Sequence, residues 1–212
     1  MNKDTYNFIR WMNKKTEKKV FTTWFSYYYD ENVNFIIDFH NYEKEKNVII
    51  KSFDENGIIV EKNNNNKIIF FDLDGTLYDL YNRNGWLECI LSENTSCYTD
   101  GKLLINYDEF LSVVTDLKNK GYVFGVISWM AKNSSKQYEN KVRKAKTRFL
   151  QKHFANVFDV VHIIQYGKNK SRYCENEHCI LFDDEKNNRL QWEKRNGIAF
   201  DEKNIIERLK NL

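Results

Sequence analysis

Two aspartates one residue apart close an apolar run in "KIIFFDLDGT", residues 67–76. Carboxylates at the end of a buried strand cost free energy unless a metal, a ligand or hydrogen bonds compensate them. Three further apolar runs end in reactive residue types. "YVFGVI" leads to Ser128, "VVHIIQY" to Gly167-Lys168-Asn169-Lys170, and "CILF" to Asp183-Asp184-Glu185. Brought to one edge, these ends present two carboxylate pairs, a hydroxyl and two lysines. Acids beside acids repel, so a divalent cation is the simplest compensation. Oxygen donors of this kind suit Mg²⁺, which keeps several waters and shares its shell with phosphate oxygens. Each residue also has a plainer role. Asp72 and Asp74 suit a turn after a strand, Asp183 and Asp184 suit a helix cap, and Ser128 suits an ordinary strand end.

An edge that gathers four strand ends requires a particular scaffold. "KIIFF" (67–71), "YVFGVIS" (122–128), "DVVHIIQY" (159–166) and "CILF" (179–182) read as strands. Between them, "YDEFLSVVTDLKNKG" (107–121) and "KQYENKVRKAKTRFLQKHF" (136–154) read as helices, the second with Tyr138, Val142, Ala145 and Phe149 on one side. "EKNNRLQW" and "KNIIERLKNL" add two more helices near the end. Unbroken apolar strands alternating with helices predict an α/β fold, a parallel sheet buried on both faces. Right-handed crossovers make it a three-layer α/β/α sandwich of Rossmann type. Ligands bind such sheets beyond the carboxyl ends of the strands, where the reactive residues fall here.

The front of the chain has a different texture. "NNNN" at 63–66 reads as a linker, so the expected domains are residues 1–62 and 67–212. A helix over about Thr5–Asn13 precedes runs rich in aromatic and branched residues, "KVFTTWFSYYY", "VNFIIDFHNY", "NVIIKSF" and "GIIVEK". Short polar connections between them suggest a small α+β module with an antiparallel meander. The chain has 212 residues and a formal net charge of +3, too small to argue for nucleic acid or membrane by itself. It lacks an apolar run of membrane-spanning length and a signal-peptide core, so a cytoplasmic location is expected. Four scattered cysteines do not make a disulfide framework. The absence of proline and the wealth of Lys, Asn and Ile reflect an AT-rich coding bias.

The order of these features resembles the haloacid dehalogenase superfamily of phosphotransferases. The carrying residues are "FFDLDGTLYD" after the first strand, Ser128 at the next strand end, a downstream lysine, and Asp183-Asp184 before a helix. "GVISWMAKNS", "QYGKNK" and "ILFDDEKNNRLQW" are similar to small haloacid-dehalogenase-like proteins common in bacteriophages and their hosts. The resemblance covers residues 67–212. It implies a Mg²⁺-dependent phosphatase in which Asp72 is the nucleophile and Asp74 the general acid and base. Ser128 would bond a phosphate oxygen, and a lysine would neutralise charge on the phosphoryl group. That lysine aligns at Lys170, with Lys168 as the neighbouring candidate. The implied metal ligands are Asp72, the backbone carbonyl of Asp74, Asp184, and Asp183 directly or through water.

The family selects substrates with cap insertions, and here the interval from Tyr78 to Lys102 holds one short helical patch, "GWLECILSE". A minimally capped, open site is expected, serving a phosphorylated small molecule, a nucleotide or a nucleic-acid end. Residues 1–62 then supply either a lid or a docking module for a protein partner. The basic helix bears Lys136, Lys141, Arg143, Lys144, Lys146, Arg148 and Lys152, which either steer polyanions or form a solvated face. "WFSYYY" either stacks bases or fills a small core. Cys174, His178 and Cys179 lack the ligand number and spacing of a zinc site. The rival functional expectation is a catalytically silent binding protein that keeps the constellation without turnover.

Overall fold

The computed structural model describes residues 3–15, 42–43, 48–54, 57–62, 67–99 and 101–212. They fall into two compact units, residues 1–64 and 65–212. In the first, helix α1 (Lys3–Lys15) starts and ends two residues beyond the expected Thr5–Asn13. It buries Phe8 and Trp11, which meet the Tyr42 ring edge-on at 5.0 and 5.3 Å. Strands β1 (Val48–Asp54) and β2 (Gly57–Lys62) pair antiparallel, Val48 opposite Lys62 and Asp54 opposite Gly57. "KVFTTWFSYYY" and all of "VNFIIDFHNY" but Tyr42 lie outside the described residues.

The second unit is built on five parallel strands in the order β5-β4-β3-β6-β7. These are β3 (Ile68–Phe71), β4 (Val123–Trp129), β5 (Val160–Ile164), β6 (Ile180–Phe182) and β7 (Ile198–Phe200). The last was not anticipated, because three residues with a half-exposed face give too short a run to show a period. Helices follow as α2 (Trp86–Leu91), α3 (Tyr107–Asn119), α4 (Lys136–His153), α5 (Lys186–Glu193) and α6 (Ile205–Lys210). Asn106 caps α3 by accepting from the Glu109 amide, and Ser135 caps α4 by accepting from the Tyr138 amide.

Alternation along each strand feeds two cores. Ile69 and Phe71 join Phe124, Val126, Ile180 and Phe182 on one face, covered by Phe110 of α3, Val142 and Phe149 of α4, and Leu209 of α6. Phe70, Ile127 and Leu181 face the other way against Trp192 of α5. Gly125 makes this packing possible, since a Cβ there would lie 2.4 Å from the Phe70 ring. The arrangement is an α/β fold with helices on both faces of a parallel sheet. Strand order reverses direction beside β3, whose neighbours are β4 and β6. That reversal opens a crevice at the carboxyl ends of β3 and β6, where two loops diverge to opposite faces. Among the described residues no helix is long and apolar enough to cross a membrane.

Candidate active site

Asp72 is the first residue past β3, and its amide still donates to the Phe182 carbonyl at 2.8 Å. The chain then folds tightly, with the Leu77 and Tyr78 amides both donating to the Leu73 carbonyl. Gly75 sits at φ +80°, a conformation costly for residues with a Cβ. A Cβ at this position would also lie 2.6 Å from Asp184 Oδ2 and 2.7 Å from the Tyr81 ring. Glycine is therefore required twice over: by its own backbone, and by the approach of the loop after β6. Thr76 fastens that approach, its buried hydroxyl oxygen accepting from the Asp184 amide at 3.1 Å.

Lys170 lies on a 3-10 turn (Lys170–Tyr173) and is buried. Its ammonium is 2.9 Å from Asp72 Oδ1 and 2.7 Å from Asp183 Oδ2. Burial works against the charge, but the two carboxylates outweigh it and push the Lys170 pKa up. Lys168 is exposed and contributes its carbonyl, which accepts from the Trp129 indole at 2.8 Å. Of the two lysines left open by the sequence, Lys170 is the one that meets the aspartates. Asp183 is fully buried and richly bonded, accepting also from the Glu185 amide and from Asn188 Nδ2. Arg189 ties down the same loop by donating to the carbonyls of Asp183 and Asp184.

A second buried lysine completes the site and overturns one expectation. By sequence Lys146 belongs to the basic face of α4, solvated or polyanion-steering, yet it is as buried as Lys170. Its Nζ donates to Asp74 Oδ2, to Ser128 Oγ at 2.9 Å and to the Trp129 carbonyl at 2.6 Å. All three ammonium donors are thereby used. The signal was in the sequence: Val142, Lys146 and Phe149 share one helical stripe at i, i+4 and i+7. Lys136, Lys141, Arg143, Lys144, Arg148 and Lys152 do lie on the exposed side. Ser128 lies in β4, one residue before its end, fully buried, and reaches the site through this lysine.

Asp72, Asp183 and Asp184 each offer a carboxylate oxygen within 4.8 Å of the others, a group able to hold a metal ion. Burial, then the charges of Asp72 and Asp183, pushes the Asp184 carboxyl up to about 7. Asp72 Oδ1, beside the Lys170 ammonium, has no well-formed hydrogen bond among the described residues. Clustered oxygens with a carboxyl held that high fit a hard divalent cation. The Asp74 side chain stands outside this group and turns to Lys146 instead. Its Oδ1 is buried with no hydrogen-bond partner among the described residues, and burial pushes its carboxyl above the usual range against the pull of Lys146. Cys174, His178 and Cys179 form no such metal-holding group among the described residues.

The site opens into a cavity of about 500 Å³ with Asp72 and Asp74 on its lining. The interval expected to leave the site open supplies much of the wall, from Leu80 to Tyr98. No protein-family model matches this chain, and neither does any curated protein.

Proposed function

We propose that residues 67–212 form a haloacid-dehalogenase-type phosphatase, hydrolysing phosphomonoesters through an aspartyl-phosphate with a Mg²⁺ cofactor. The observation that carries this reading is the division of the two strand-end aspartates between two buried lysines. Asp72 shares Lys170 with Asp183, while Asp74 is held by Lys146. One carboxylate thus stands within the metal-holding group and the other apart from it, a division that suits a nucleophile and a proton carrier.

In the first step an Asp72 carboxylate oxygen attacks phosphorus. The bond from phosphorus to the leaving oxygen breaks, and Asp74 delivers its proton to that oxygen. In the second step water attacks phosphorus, gives its proton to Asp74, and the Asp72–phosphorus bond breaks to release inorganic phosphate. Burial favours the protonated form of Asp74 before the first step. Lys146 holds that carboxylate in one rotamer. Because Ser128 Oγ accepts from Lys146, its own hydroxyl proton is left to donate to a phosphoryl oxygen. Lys170 offsets charge on Asp72 and on the phosphoryl group. A Mg²⁺ held by Asp72, Asp184 and Asp183 would neutralise phosphoryl oxygens and orient them for in-line attack.

The test is phosphate release from an aryl phosphate by the full chain, with Mg²⁺ and with EDTA. Metal-dependent release is expected. Metal binding with no release from any phosphomonoester would point instead to the silent binding protein.

A further inference from the structure

We infer that the substrate is a nucleoside monophosphate, its base held between aromatic side chains beside the transferred phosphoryl group. This rests on the phosphatase reading above and deepens it. The cavity of about 500 Å³ lies within the range of small-molecule sites, with Asp72 and Asp74 on its lining. Two aromatic pairs line it. Tyr81 and Trp86 meet edge-on at 5.2 Å on the segment after β3, and Trp129 and Tyr166 pair at 5.0 Å on the ends of β4 and β5.

These rings are not core left over. Tyr81 and Tyr166 are 48% and 44% exposed, and Leu87 and Leu91 on the same wall are 48% and 75% exposed. Large apolar side chains gathered around one cavity and left in water mark a binding surface. They are also held in place before any ligand arrives. The Trp129 indole N–H donates to the Lys168 carbonyl, and the Tyr81 ring lies against the Gly75 turn. A planar group entering here would stack close to the phosphorus.

The polar groups narrow the class. Lys132 lies over the Tyr166 ring at 5.6 Å, and Asn133, Ser134 and Glu93 share the lining, giving donors and acceptors for the edges of a base. A bare sugar phosphate would set hydroxyls against leucine and aromatic walls, where they lose their hydrogen bonds to water. A nucleic-acid end would need cations to follow its further phosphates. Outside the buried Lys146–Lys170 core, Lys132 is the cation among the described residues lining the cavity, and Glu93 stands opposite in charge. A single nucleotide fits this balance; a polyanion does not.

Binding can be read without turnover. The Asp72→Asn variant of the full chain, with Mg²⁺, is titrated with adenosine 5′-monophosphate, ribose 5-phosphate and a 5′-phosphorylated oligonucleotide by calorimetry. The nucleotide is expected to bind at least about tenfold tighter than ribose 5-phosphate, the scale of one base stacked on aromatic side chains. Adding Trp86→Ala, or independently the surface change Leu91→Glu, is expected to erase most of that difference. Equal binding of the sugar phosphate, or tighter binding of the oligonucleotide, would overturn the inference. Turnover of the unmodified chain is scored separately. Nucleotide preference without phosphate release leaves the base-binding site standing and removes the phosphatase reading, and with it the nucleotide's role as substrate; release without preference keeps the phosphatase reading and removes the base-binding site.

Discussion

The two halves of the site solve the same problem with different parts. In each, a strand-end aspartate is paired with a fully buried lysine. The Asp72 half draws its lysine from a loop, adds Asp183 and Asp184, and has oxygens arranged for a cation. The Asp74 half draws its lysine from the middle of α4, adds a serine and a backbone carbonyl, and lies outside the metal-holding group. A group that must stay ionised beside a phosphoryl anion benefits from several charges nearby. A group that must exchange a proton benefits from one fixed partner and a dry environment.

The contrast can be broken most severely at Asp72, the proposed nucleophile. Asp72→Asn is expected to lower phosphate release by at least about a thousandfold for every substrate, measured as initial rate with Mg²⁺. Asp74→Asn should cost about 10²–10⁴-fold with an alkyl phosphate, whose leaving oxygen needs a proton. With an aryl phosphate its first step should be much less affected. Equal loss in that first step on both substrates, read as the pre-steady-state burst, would mean that Asp74 is not the acid.

Stability separates the halves next. Lys146→Met leaves Asp74 buried without its cation, and is expected to cost about 3 kcal/mol, or roughly 10 °C in Tm. Adding Asp74→Asn should return much of that loss. Lys170→Met should also destabilise, but Mg²⁺ is expected to restore its Tm, because a cation can take over beside Asp72 and Asp183. The same Mg²⁺ should leave Lys146→Met unrescued. Rescue of both, or of neither, would erase the distinction.

The smallest effect is on pH dependence. The Asp184 carboxyl is raised in the folded chain to about 7, so the native state holds a proton that the unfolded state has already lost. Metal-free stability should therefore fall as pH rises from the ordinary carboxylate range toward 7. Asp184→Asn should flatten that slope, and Mg²⁺ should reverse it. Urea denaturation across this range, with and without EDTA, checks the sign.

Much of this was legible in the sequence, for identifiable reasons. The parallel sheet followed from unbroken apolar runs, and the strand-end rule led directly to Asp72, Asp74, Asp183 and Asp184. Ser128, the expected end of its strand, lies one residue inside it. Lys146 was missed because seven basic residues on one helix were read by their number, whereas its place in the Val142–Phe149 stripe shows that it points inward. Thr76 serves by fixing the Asp184 backbone across a chain separation of 108 residues, and no local pattern marks such a contact. The aromatic wall was hidden for a similar reason. Tyr81 and Tyr166 come from separate loops and Trp129 from the end of β4, and the three share one lining only when the sheet has formed.

The central claim is that Asp72 carries the phosphoryl group between the two steps. The Asp74→Asn variant, lacking the base for the second step, should accumulate that intermediate when mixed with an aryl phosphate and Mg²⁺. Rapid quenching, borohydride reduction and peptide mapping would then locate it. Conversion of residue 72 to homoserine is expected, dependent on Mg²⁺ and absent when Asp72→Asn is added. Label at another residue, or steady phosphate release with no modification at residue 72, would contradict it.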